Sequence, residues 1–130
     1  MNRLFLLAGL CVAMMLVAGA NGADEPMSIK EIMKITHGKG GYKGKVESAV
    51  KSKDFDTVSS VAKDWEKAAS ALASAKPTKG EAESWKKLTD SYTKTIQSMT
   101  KAAGGKDAKG VAASLKAVGG SCGGCHKSHK

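Results

Sequence analysis

Two cysteines and a histidine near the C-terminus form the pattern with the most specific chemistry in this chain. They are Cys122, Cys125 and His126, in the order Cys-Gly-Gly-Cys-His. Residues three apart lie on one face of a helix, so both thiols can add to the vinyl groups of one haem and form thioethers. The next residue, His126, can then bind the haem iron as its proximal ligand. The pattern therefore predicts a covalent c-type haem site.

The same cysteines admit two other chemistries. In an oxidising compartment a close pair of thiols can form a disulfide. With His126 and His129 the two cysteines also supply the donor set of a tetrahedral zinc site. Zinc sites usually separate their ligand pairs by a longer loop, and the adjacent Cys125 and His126 suit one small ion poorly. We expect haem, with zinc as an alternative, and we expect His129 to lie in a frayed helix end.

The N-terminus has the organisation of a signal peptide. Arg3 gives a positive start, residues 4–17 are apolar, and small residues provide a cleavage site after Ala20 or Ala23. The apolar run is short for a membrane-spanning helix. We predict that residues 1–23 are a cleaved signal peptide and that residues 24–130 form one exported domain in the periplasm.

The net charge of the chain is strongly positive. It is +9 in total and +8 without residues 1–23, because that segment contains one basic and no acidic residue. Such a charge can steer the protein toward an acidic redox partner, although a solvated lysine surface is the simpler interpretation. Export and the lack of a concentrated arginine patch argue against nucleic-acid binding.

Four amphipathic segments follow the predicted signal peptide, and none of them has the alternation of a strand. Each begins near a residue suited to cap a helix: Ser28, Asp54, Thr78 and Asp107. For the third, we expect a capping box between Thr78 and Glu81. Glycines at 38–44 predict a bend or break in the first segment. The pattern predicts an all-α, antiparallel four-helix bundle with one covalently bound haem.

The two cysteines continue the apolar face of the last segment without a change of phase. That face runs through Val111, Leu115 and Val118 before it reaches Cys122 and Cys125. We therefore expect both thiols to face the core of the bundle, and a haem attached there would lie against that core.

The signal peptide, the four helices and the Cys-Gly-Gly-Cys-His motif at the extreme C-terminus together resemble class II c-type cytochromes, the cytochrome c-prime group. Ordinary class I cytochromes carry the motif near the N-terminus. The resemblance implies one haem c with His126 as the fifth ligand, and it implies homodimers that pair through the first two helices. It also implies either a methionine from the first helix as sixth ligand, which suits electron transfer, or an open position that binds nitric oxide or carbon monoxide.

Two residues of the first segment are candidates for the sixth ligand. Met33 lies on the apolar face, and a methionine ligand raises the reduction potential of haem iron. His37 follows one turn later and is the alternative, which would give iron with two histidine ligands. Each has a simpler interpretation, because a methionine there can serve core packing and a histidine at a helix end can be solvated.

We expect a periplasmic electron carrier with one haem. No second acid–base or metal constellation accompanies the motif, so we do not expect an enzyme. A gas-binding protein with an open sixth position is the alternative. A haem-free, zinc-binding helical protein is the third hypothesis.

Overall fold

The computed structural model describes residues 25–130, and five helices account for most of them. They are α1 (Ile29–His37), α2 (Tyr42–Lys51), α3 (Phe55–Ser74), α4 (Ala82–Gly104) and α5 (Ala108–His129). No strand occurs in that part of the chain. Because α1 and α2 together occupy one position of the bundle, the predicted all-α four-helix architecture is confirmed. The predicted signal peptide lies outside the described residues.

The first arm of the bundle is broken between α1 and α2, within the glycine-rich stretch where a break was expected. Gly38 ends α1 in an extended conformation, and Gly40 adopts a φ of +74°, which favours glycine. A Cβ atom on Gly41 would lie 2.8 Å from the carbonyl oxygen of Ile35. The two short helices can therefore tilt independently while remaining in sequence.

Three of the four predicted helix starts are confirmed by their capping bonds. Ser28 and Glu31 form a reciprocal capping box, and Asp54 and Asp107 accept hydrogen bonds from backbone N–H groups of α3 and α5. The predicted capping box at Thr78 is wrong. Instead α4 begins at Ala82, because Gly80 adopts a φ of +93° that no helix continues through.

The core is a single apolar cluster to which every helix contributes. Its largest fully buried apolar side chains are Trp65, Ile32, Ile96 and Met99. Trp65 and Trp85 are both buried, as their positions on the apolar faces predicted. Alanines on the inner face of α3 allow its neighbours to approach closely, so the core is thin. None of the described helices combines the length and the hydropathy needed to span a membrane.

The bundle is closed at one end and open at the other. Helix α3 packs against α2 and α4, and α5 packs against α4 and α2. In contrast, α1 packs against α2 and α3, and its backbone does not approach that of α5 within 8 Å. Because neighbouring helices are antiparallel, α1 lies at the same end as the last turns of α5. A crevice therefore separates α1 from the C-terminal half of α5.

Candidate haem site

The last turns of α5 carry the two cysteines and the histidine of the motif. Helix geometry continues to His129, so Cys122 and Cys125 lie on one helix face. Both are free thiols; Cys122 is exposed and Cys125 is half-buried. His126 is exposed. The three groups that would attach and ligate a haem are thus held on consecutive positions of one rigid element.

The expectation that both thiols face the core is wrong for Cys122. Nearer the start of α5 the same helix face is buried, at Val111 and Val118. That half of the helix is covered by α2, whereas α1 lies away from the half that carries the thiols. The thiols therefore border the crevice and not the closed core. The Cys122 thiol donates to the Val118 carbonyl oxygen at 3.7 Å.

The glycines around the motif are not required by packing within the protein. A Cβ atom on Gly119, Gly120 or Gly123 would meet no atom within 4 Å, and one on Gly124 would make an ordinary contact with Leu88. Both interpretations of the sequence remain: close approach of a porphyrin to the backbone, or a loosely held turn.

Across the crevice, α1 presents the two candidate distal ligands on one side. Met33 is half-buried and packs against the core. His37 is half-buried at the last position of α1. Between them Thr36 is fully buried, and its hydroxyl donates to the Ile32 carbonyl oxygen at 2.7 Å. The buried Ile32 and Thr36 thereby fix the rotation of α1.

His37 belongs to a hydrogen-bonded network that the sequence did not reveal. Its Nε2 lies 2.9 Å from the hydroxyl oxygen of Tyr92, and Trp65 Nε1 donates to that oxygen at 2.7 Å. An indole N–H only donates, so the tyrosine hydrogen is available to be donated to His37 Nε2. Trp65 and Tyr92 were interpreted as core packing alone; the signal is that a buried indole or phenol needs a polar partner.

The electrostatics of the network connect it to the motif on α5. Burial lowers the pKa of His37, and the positive charges of Lys43 and His126 lower it further. Burial raises the pKa of Tyr92 to about 12, against the Trp65 N–H bond, which lowers it; negative charge on Cys122 and Cys125 would raise it. Burial also raises the pKa of the Cys125 thiol. Groups on α1, α4 and α5 therefore act on one shared region.

His129 is not frayed, contrary to the sequence-based expectation. It is the last residue of α5 and is buried, and both ring nitrogens contact groups of residues 79–84. It therefore does not converge with the two cysteines and His126 on one point. Among residues 25–130, no group of three or more His, Cys, Asp or Glu side chains is arranged to hold a metal ion. The zinc alternative has no support in this geometry.

Comparison with known proteins places this arrangement in a class and then in a family. The bundle and the motif at its open end define a c-type haem cytochrome. A family model described as Cytochrome C′ matches residues 30–130, and the chain belongs to that family. No curated protein and no solved structure matches the chain. The family binds haem c, and its members are typically periplasmic.

Proposed function

We propose that this cytochrome is a periplasmic electron carrier with a single covalent haem c, and not an enzyme. The observation that carries the proposal is the crevice between α1 and α5. One wall presents two free thiols and His126, and the other presents Met33 and His37. Two ligand-bearing walls on opposite sides of one crevice suit a flat cofactor with two axial positions.

The donor set fits a haem. Cys122 and Cys125 would hold the porphyrin through its vinyl groups, and His126 would ligate the iron from the α5 side. When bound, the haem supplies a metal that changes oxidation state by one electron. The protein's own contribution is to fix the imidazole on a helix, to restrict water, and to offer or withhold a sixth ligand.

Met33 is favoured over His37 as the sixth ligand by the hydrogen bonds of the imidazole. His37 Nε2 accepts from Tyr92, and its other ring nitrogen then carries the hydrogen of the neutral ring. Ligation by Nε2 would break that bond and leave a buried hydroxyl without its acceptor. The Met33 thioether has no competing partner among the described hydrogen bonds, and methionine ligation suits electron transfer.

An acidic redox partner is favoured by the surface beside the motif. Lys79, Lys127 and Lys130 are exposed around the end of α5, and none of them forms an ion pair within the described residues. Their charge is therefore available to a partner. Because one haem edge would lie between these lysines and α1, a partner docked there would be close to it.

The proposal is tested by spectra of the purified holoprotein in both oxidation states, with Met33→Leu compared with Met99→Leu. Both changes conserve volume, and Met99 is buried in α4 near the closed end of the bundle. We expect a low-spin wild type that does not bind carbon monoxide when reduced. Met33→Leu becomes high-spin and binds carbon monoxide, whereas Met99→Leu behaves as wild type. A high-spin wild type that binds carbon monoxide would instead support the gas-binding alternative.

A further inference from the structure

The end of α5 is fastened to the segment that joins α3 to α4 through His129. The His129 ring is only 8% exposed. Its Nδ1 lies 2.9 Å from the Lys79 carbonyl oxygen, and its Nε2 lies 3.1 Å from the Ser84 hydroxyl oxygen. A carbonyl oxygen only accepts, so Nδ1 carries the hydrogen and donates, and in the neutral ring Nε2 accepts from Ser84. Both nitrogens are satisfied at once.

The surrounding segment is shaped around this ring. Trp85 packs against it edge-on, with ring centroids 5.3 Å apart, and the Trp85 indole donates to the Ala75 carbonyl oxygen at 2.9 Å. Gly80 adopts a φ of +93°, and a Cβ atom there would lie 2.3 Å from His129 Nδ1. Only glycine therefore permits both this backbone conformation and this approach.

The turns of α5 before His129 have few other attachments. Four of the six residues from 119 to 124 are glycines, and three of these have no protein atom within 4 Å of a would-be side chain. His126 itself is exposed. His129 follows His126 by three residues and so lies on an adjoining part of the same face. Fixing the ring of His129 fixes the rotation of the helix turn that carries His126.

We propose that His129 is a positioning residue for His126: it locks the last turn of α5 so that the His126 imidazole has a single orientation at the iron. This inference rests on the proposed haem site. It adds a residue outside the Cys-Gly-Gly-Cys-His motif to the groups that determine the proximal ligand. The orientation of an axial imidazole affects both the anisotropy of the ferric signal and the reduction potential, because neighbouring groups tune the ligand.

The test compares the holoproteins of wild type, His129→Ala, His129→Asn and Val111→Ala. Asn keeps a donor near the position of Nδ1. Val111 is fully buried at the other end of α5, so Val111→Ala is a matched destabilising control. The readouts are the ferric electron paramagnetic resonance spectrum, the reduction potential, and backbone hydrogen exchange of residues 119–128.

For His129→Ala we expect a broadened or divided ferric signal, a shifted potential, and exchange faster by about tenfold in the last turns of α5. His129→Asn should recover part of each change. Val111→Ala should lower thermal stability without altering the ferric signal or the potential.

The inference is overturned if His129→Ala leaves the ferric signal and potential as in wild type, or if Val111→Ala alters them to the same degree. If His129→Ala cannot be loaded, the exchange of the apoprotein still decides: equal exchange in both proteins at residues 119–128 contradicts the proposal. Failure of the proposed function is a separate outcome, because the wild type itself would then carry no haem.

Discussion

At the scale of single residues, the distal side of the crevice is organised by Tyr92. Its hydroxyl oxygen accepts from the buried Trp65 indole and faces His37 Nε2. One oxygen thus satisfies a buried donor on α3 and an imidazole on α1. The network therefore joins the short helix α1 to the two longest helices of the described chain through polar contacts as well as apolar packing.

Replacing Tyr92 by phenylalanine should destabilise the protein by about 1–3 kcal/mol, because the buried Trp65 N–H loses its acceptor. Denaturant unfolding measures the change. Tyr42→Phe is the matched control, since the described hydrogen bonds include none from the Tyr42 hydroxyl, and it should change stability little. Equal losses in both variants would contradict a special role for the Tyr92 hydroxyl.

The lowered pKa of His37 predicts a dependence of stability on pH. In the unfolded chain the imidazole takes up a proton near its ordinary value of 6.5, whereas burial and the charges of Lys43 and His126 delay protonation in the folded protein. The unfolded state therefore binds more protons below pH 6.5, and stability is lost as the pH falls through that value toward the lowered folded pKa. Above 6.5 the His37 contribution is fully present.

The measurement is thermal unfolding from about pH 7 to about pH 5, the range in which histidine changes charge, for wild type and His37→Gln. Glutamine can still accept from Tyr92 and does not titrate. We expect the variant to lose less of its melting temperature over this range. Parallel curves for the two proteins would show that His37 does not cause the acid sensitivity.

At the scale of elements, α5 has an unusual distribution of stability. Its first half is capped by Asp107 and buried at Val111 and Val118, whereas its second half is rich in glycine and is held mainly at its end. The element that carries the haem ligands is thus a poor helix by composition. Tertiary contacts at the last turn compensate for that composition.

Two glycine substitutions should have opposite effects on stability. Gly119→Ala adds a methyl group in open space within a helix and should stabilise by up to about 1 kcal/mol. Gly80→Ala imposes a φ of +93° on alanine and a collision with His129, so it should destabilise strongly. Thermal unfolding of both variants tests this. A stabilising Gly80→Ala would show that the segment rearranges freely and does not depend on His129.

Local patterns predicted most of the fold. Ser28 with Glu31, Asp54 and Asp107 marked helix starts because a cap depends on residues a few positions away, and the glycines after His37 marked the break. The start of α4 and the place of His129 were missed for one shared reason. Both depend on contacts between residues 79–84 and residue 129, and the sequence holds no local signal for contacts separated by more than 40 residues.

The candidate site was predictable as chemistry and less so as geometry. Spacing alone identified Cys122, Cys125 and His126, because helix periodicity places them together. The exposure of Cys122 was not predictable, since it depends on α1 lying apart from α5. The Tyr92 network was also missed, because the periodicity that identifies a buried aromatic does not show which polar group its tip will meet.

At the scale of the whole molecule, the bundle is a four-helix arrangement with one half-length wall displaced. Helices α2 to α5 enclose the apolar core at one end, while α1 and the end of α5 border a crevice at the other. A thin, alanine-rich core of this kind gains from any large apolar group that joins its contacts. In our account the haem is that group, and the exposed lysines beside it give a partner its approach.

The central claim is that Cys122 and Cys125 join the protein to one haem. Intact mass spectrometry under denaturing conditions tests it directly, on protein exported from a host with haem-maturation machinery. We predict that the wild type gains the mass of a single haem and that the double variant Cys122→Ala/Cys125→Ala gains none. A wild-type mass equal to that of the polypeptide alone would contradict the account.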